Sequence, residues 1–141
     1  ADVIMKCRTD MVIHNKNIFE LYKEPNSKNK IMIPNFITLE DVDYWASDIC
    51  QISTREILLE YWNSIDHFDG TILPHVEIYW TINYILHVKK DLSSWKQILK
   101  KYFYVKDYVE DFQIEWIKMT PEWNIKRFFD TNYDDLKKPD C

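Results

Sequence analysis

The chain holds one glycine, Gly70, in 141 residues. Sites that cradle phosphates or dinucleotides need several glycines so that backbone can approach the ligand closely. Such activities are nearly excluded. Tight hairpin turns of the primed types also depend on residues that accept positive φ, glycine above all. A chain this poor in glycine is expected to favour helices joined by irregular connections. Its length points to one domain, with about two thirds of the unfolded surface buried on folding. An apolar fraction of 46% and an aromatic fraction of 16% supply material for that core.

Charge narrows the class of partner. There are 18 Lys and Arg against 23 Asp and Glu, a net charge of -5. Nucleic-acid binding rests on phosphate neutralisation by basic residues, so nucleic acid is not expected as a partner, nor is an anionic membrane surface. No run of about 18 apolar residues occurs. The charged first residues, with Asp2, Lys6 and Arg8, do not read as a signal peptide. Cys7, Cys50 and Cys141 are odd in number and far apart, without a CxxC motif. That usage fits a reducing compartment, cytoplasmic or nuclear.

Read along the chain, the first third is extended and mixed. Val3–Cys7 and Met11–Ile13 read as strands around a turn at Thr9-Asp10, giving a hairpin. Residues 17–22 suit a short helix, and 24–30 a polar loop. Ile31-Met32-Ile33, ended by Pro34-Asn35, reads as a third strand. A helical pattern follows. Thr38 and Asp41 suggest a cap for a helix running to Cys50, with Val42, Trp45, Ala46 and Ile49 on one face. Ser53 and Glu56 form a better capping box for the next helix, which Gly70 would end. Pro74–His87 is apolar over much of its circumference and is expected to be a central helix. Asp91 or Ser93 should start a helix that carries Lys100 and Lys101 in its last turn. Glu110 and Asp111 should open another, with Phe112, Trp116 and Met119 at helical spacing, closed by Pro121. Trp123, Phe128 and Phe129 suit a last short helix before a polar tail.

No catalytic constellation emerges. His14, His67, His75 and His87 lack partners at zinc-site spacing. Asp66 and Asp69 share a helical turn, a pattern usual for a solvated face. Cys50 reads as a core residue. No metal, no cofactor and no enzymatic activity are expected. The last third carries more aromatic bulk than three short helices can bury among themselves, and exposed aromatic surface marks partner grooves.

The order of these elements resembles the S-phase-kinase-associated adaptor family of SCF ubiquitin ligases. Ile33-Pro34-Asn35 looks like that family's L-P-N. Leu58–Gly70, which reads LLEYWNSIDHFDG, is similar to its L-F-E-L-I-L-A-A-N-Y-L-D-I, and the similarity runs without a gap to Ile85. Leu99–Tyr108 looks like I-R-K-T-F-N-I-K-N-D-F, one residue shorter. An acidic segment and then Trp123 follow in both. The resemblance implies an α+β, mostly helical fold: a BTB/POZ-like core at 1–88 with a sheet of about three short strands, F-box-binding-type helices at 89–130 packed on it, and a flexible tail at 131–141. It implies a non-catalytic adaptor that links an F-box-type protein to a cullin.

Helix-in-groove recognition with aromatic anchors would then use Ile82, Ile85, Leu99, Phe103, Val105, Phe112, Trp116 and Trp123 on the F-box side. The cullin side would use Glu60, Asn63, Asp66, His67 and Asp69. The family's cullin-facing Asn-Tyr pair falls on Asp66-His67 here, and its long acidic loops are missing. These departures motivate an alternative: a cullin-free scaffold, or a BTB-type oligomerisation module that forms a homodimer while keeping F-box-like binding.

Overall fold

The run Ile31-Met32-Ile33 organises the molecule. Successive side chains of a strand point to opposite faces, so an unbroken apolar run needs cover on both. The computed structural model, which describes residues 2–36, 38–67 and 76–116, provides it. Strand β3 (Ile31–Pro34) is buried at every position. Ile31 and Ile33 join one hydrophobic cluster, and Met32 joins the other. Counted in chain order, β1 is Val3–Cys7, β2 Met11–Ile13, β4 Cys50–Thr54, β5 Phe103–Lys106 and β6 Ile114–Trp116. A mixed sheet runs β1-β4-β3-β5. β4 is antiparallel to β1 and β3, and β5 is parallel to β3. Asn35 closes this parallel edge: its N–H donates to Lys106 O (2.8 Å), and its Oδ1 accepts from Tyr108 N–H (2.9 Å).

The helices cover one face of the sheet. They are α2 (Arg55–Asn63), α3 (Val76–Ile82), which widens into a π-helical segment Asn83–Lys89, and α4 (Trp95–Tyr102). Leu58, Tyr61, Tyr84, Ile85, Trp95, Ile98 and Leu99 pack there against Ile31, Ile33 and Phe103. The other face is covered by the short α1 (Ile18–Leu21), the β2–β6 ribbon and a π-helical turn at Tyr108–Phe112.

The fold is α+β as expected, but the strands connect differently. β1 and β2 do not form a hairpin. β2 pairs with β6, in the register Met11↔Trp116 to Ile13↔Ile114. The intervening turn has no glycine to supply a twist-matched primed geometry. Arg8 instead clamps Asp10 through two hydrogen bonds (2.9 and 3.1 Å) and redirects the chain. Nor does a helix form at 38–50. Tyr44 sits at φ 64° inside that window, and Thr38 Oγ1 donates to Pro34 O (2.7 Å) while accepting from Ser47 N–H (3.1 Å). Trp45, Ala46 and Ile49 are buried as the pattern suggested, from an irregular segment, and Cys50 opens β4.

Capping positions slip by a residue or more. Thr54, not Ser53, caps α2 by accepting from Ile57 N–H (3.3 Å). Ser94, not Asp91 or Ser93, caps α4 in a full box with Gln97. Lys100 and Lys101 occupy its last turn as expected. The Pro74–His87 helix is central only in its second half. Val76 is exposed, and burial begins at Thr81.

The largest correction concerns the described residues after α4. These residues, 103–116, do not continue as long helices. β5 enters the main sheet, and the predicted helix at Glu110-Asp111 is one wide turn. Asp107 caps that turn, and Gln113 at φ 55° ends it. β6 follows. Among the described residues, 103–116 supply strands to both sheets, pairing with β3 and β2. Gly70, Asp69, Pro74, Pro121, Trp123, Phe128, Phe129 and the 131–141 tail lie outside the described residues.

Candidate functional site

β1 forms one edge of the main sheet, and its pairing determines what it presents. Arg55 N–H donates to Asp2 O (3.0 Å), which makes Val3/Thr54 a pair without mutual hydrogen bonds. Antiparallel ladders alternate. Ile4 and Lys6 therefore bond inward to Ser53 and Gln51, while the N–H and C=O of Val3, Met5 and Cys7 point away from β4. No described strand pairs with that side. Such an edge is a template for another strand. Val3 and Ile4 are 39% and 38% exposed.

A cleft of about 390 Å³ opens beside the start of this edge, lined by Val3, Phe19, Tyr22, Pro25, Lys28 and Thr54 among others. Phe19 is 40% exposed and gives it an apolar wall. The wall behind is held firmly. Tyr22 O–H donates to Lys30 O (2.5 Å), and Ser27 O–H donates to Tyr22 O and to Glu24 O. Lys23 and Lys28 stand exposed at the cleft, Lys23 in an ion pair with Glu20 (2.9 Å). On the opposite face of β1, Lys6 Nζ donates to Asp48 O (2.6 Å) and lies 4.6 Å from the Trp62 ring centroid. Burial, the largest influence, lowers its pKa from the usual lysine value. The lysine is thus committed to the sheet rather than to solvent.

Four of the residues assigned to an F-box partner are core positions. Ile85, Leu99 and Phe103 are buried together in the helix-side cluster, and Phe112 is buried in the other. They are corrected to core positions. Part of the aromatic bulk that suggested a groove is buried inside the chain, because β5 brings Phe103 against Ile31 and Trp95. Ile82 and Val105 are half-buried. Trp116 ends β6 opposite Met11. Trp123 lies outside the described residues.

The described cullin-side residues lie along α2 and the turn that follows it. Glu60 and Asn63 are exposed on α2, with Glu60 paired to Lys89, and Leu59 beside them is 47% exposed. Asp66 and His67 fall on the 3₁₀ turn Ser64–His67 that extends this helix. Asp69 is outside the described residues.

Among the described residues no three His, Cys, Asp or Glu side chains are grouped as a metal site, and no helix is long and apolar enough to cross a membrane. The open β1 edge was not legible in the sequence. Val3–Cys7 reads as a strand, but which strands flank it depends on pairings with residues some fifty positions away. Comparisons with protein-family models, with curated protein sequences and with solved structures return no match.

Proposed function

We propose that the chain is a non-catalytic protein-binding module, and that its docking element is the outer edge of β1. The occupant is an extended segment of a partner protein with alternating apolar and polar residues, added to the sheet as a further strand. The observation that carries this reading is the outward row of backbone groups at Val3, Met5 and Cys7 beside the cleft under Phe19. In strand addition the main chain supplies affinity, and pockets for alternate side chains supply selectivity. Lys28 at the cleft favours an acidic residue flanking the bound strand.

The test is a displayed library of short extended peptides, selected on the purified chain and followed by hydrogen exchange. Selected peptides should protect the amides of Val3, Met5 and Cys7. Val3→Pro should abolish binding, because proline removes the outward N–H at the first strand position without breaking the ladder to β4. Protection elsewhere, or undiminished binding by Val3→Pro, overturns the proposal.

A second reading is the adaptor linking an F-box-type protein to a cullin. It is supported by the exposure on α2 of Glu60 and Asn63, which the resemblance puts on the cullin side, with Leu59 exposed beside them. Pull-downs with an F-box domain and, separately, a cullin N-terminal domain discriminate the two readings. Cullin binding lost in Leu59→Glu favours the adaptor; no binding to either domain removes it.

A further inference from the structure

Two cysteines that stand 43 positions apart in sequence, and that spacing alone left unrelated, meet across the sheet. Cys7, the last residue of β1, is the register partner of Cys50, the first residue of β4. The alternation established above makes this another pair without mutual backbone hydrogen bonds. Such pairs hold their Cα atoms about 4.5 Å apart, inside the window of roughly 4.4–6.8 Å that a disulfide spans. Both side chains face the same side of the sheet, and each thiol is the largest influence on the other's titration. Both are free cysteines.

We infer that Cys7 and Cys50 are a redox-active dithiol, which a small-molecule disulfide oxidises to a cross-strand bond between β1 and β4. The inference does not rest on the docking role of the edge.

The roles of the two sulfurs differ by position. Cys50 is fully buried, whereas Cys7 is partly exposed on the edge strand. Cys7 therefore meets the oxidant and Cys50 resolves the product. The electrostatics agree with the geometry. The Cys50 thiol lowers the Cys7 pKa, with Lys6 and the Arg8 backbone helping, while burial and the Asp10 carboxylate oppose. The Cys7 thiol and burial push Cys50 up. A lowered Cys7 pKa favours the thiolate, the nucleophilic form, on the exposed member of the pair.

The chemistry balances in two displacements. The Cys7 thiolate attacks one sulfur of the small disulfide, forming a mixed disulfide and expelling one thiolate. Cys50 sulfur then attacks Cys7 Sγ, forming the Cys7–Cys50 bond and expelling the second thiolate. The protons of the two cysteines end on the two released thiols. The protein loses two electrons, and the small disulfide gains them.

The experiment uses the full chain carrying Cys141→Ser, so that only this pair reacts. It is incubated in reduced and oxidised glutathione mixtures and quenched with acid. Intact mass and peptide mapping are read alongside far-UV circular dichroism. The expected result is loss of two hydrogens, a Cys7–Cys50 linked peptide pair and an unchanged spectrum. Cys50→Ala in the same background should stop at one glutathione on Cys7. Because that variant could be destabilised, the alkylation rate of Cys7 is also measured against pH in the Cys141→Ser chain, with a midpoint expected below the ordinary cysteine value. A folded chain that keeps both thiols, or a glutathione adduct on Cys7 that persists with Cys50 present, overturns the inference. So does an alkylation midpoint at the ordinary cysteine value.

Discussion

Phe103 separates the two ways of accounting for the aromatic content of the chain. As a partner-groove residue its ring would lie at the surface, and truncation would cost little stability. In the structure it is 2% exposed and opens β5 in register with Ile31. Its ring centroid lies 6.2 Å from that of Trp95, with the planes at 62°. Burying a phenylalanine side chain is worth about 1.5–3 kcal/mol by area. An edge-to-face aromatic partner adds about 0.5–1.5 kcal/mol, and the cavity left behind brings Phe→Ala losses to about 3–5 kcal/mol. For Phe103→Ala we expect about 4 kcal/mol. With a urea slope near 2 kcal/mol/M, typical of small proteins, the unfolding midpoint should fall by about 2 M. The assay is equilibrium urea unfolding followed by circular dichroism and tryptophan fluorescence together. A loss within about 0.5 kcal/mol, the range of ordinary surface substitutions, would refute the core assignment.

Two further expectations concern α4 and its surroundings. Ser94→Ala removes the hydroxyl that accepts from Gln97 N–H (3.4 Å) and should cost about 1 kcal/mol, whereas Ser94→Asp should retain most of the cap; urea midpoints compare them. Asp91 accepts from Lys101 Nζ (2.8 Å) and Tyr102 O–H (2.7 Å), and Lys101 first, then Ser93, holds its carboxyl well below the usual range. Its stabilising contribution is complete above the unfolded carboxylate value of about 3.9 and is lost as pH falls through the lower folded value. Thermal melts of Asp91→Asn should therefore lie below wild type at neutral pH and converge with it in acid; a gap independent of pH refutes the assignment.

The features legible in the sequence were those set by neighbours in the chain. Ile31-Met32-Ile33 before Pro34 identified a strand because an apolar run, a proline and a polar loop all lie within a few residues. Lys100 and Lys101 marked the end of α4 for the same reason. Trp45, Ala46 and Ile49 were recognised as buried but assigned to a helix, since apolar spacing reports burial more directly than backbone conformation. Nothing local announced the positive φ of Tyr44 or the use of Thr38 as a stitch between Pro34 and Ser47. β5 and β6 were missed because their partners, β3 and β2, lie about seventy and a hundred residues away. Phe103, Phe112 and Trp116 carry periodicities that suit helices and short strands alike. The candidate edge and the dithiol share this cause, for both depend on the β1–β4 register.

That register also limits what the edge can accept. An open strand edge invites any exposed chain, yet β1 is only five residues long and is flanked by Asp2 and Arg8. Only three of its residues direct backbone groups outward. A side-chain period of two means that a one-residue slip of an added strand would exchange its two faces. The docked segment must therefore place its apolar residues on the side of Val3 and the Phe19 cleft, with its polar residues toward the face where Lys6 is held over Trp62. A segment with the opposite alternation would leave apolar side chains beside a partly buried lysine, and a uniformly apolar one would fit only one of its faces. Selectivity in this arrangement comes from alternation and from the single cleft, and the backbone ladder adds affinity without discrimination. Peptides recovered on this edge should thus share a period of two and one large apolar anchor, more consistently than they share any particular residue.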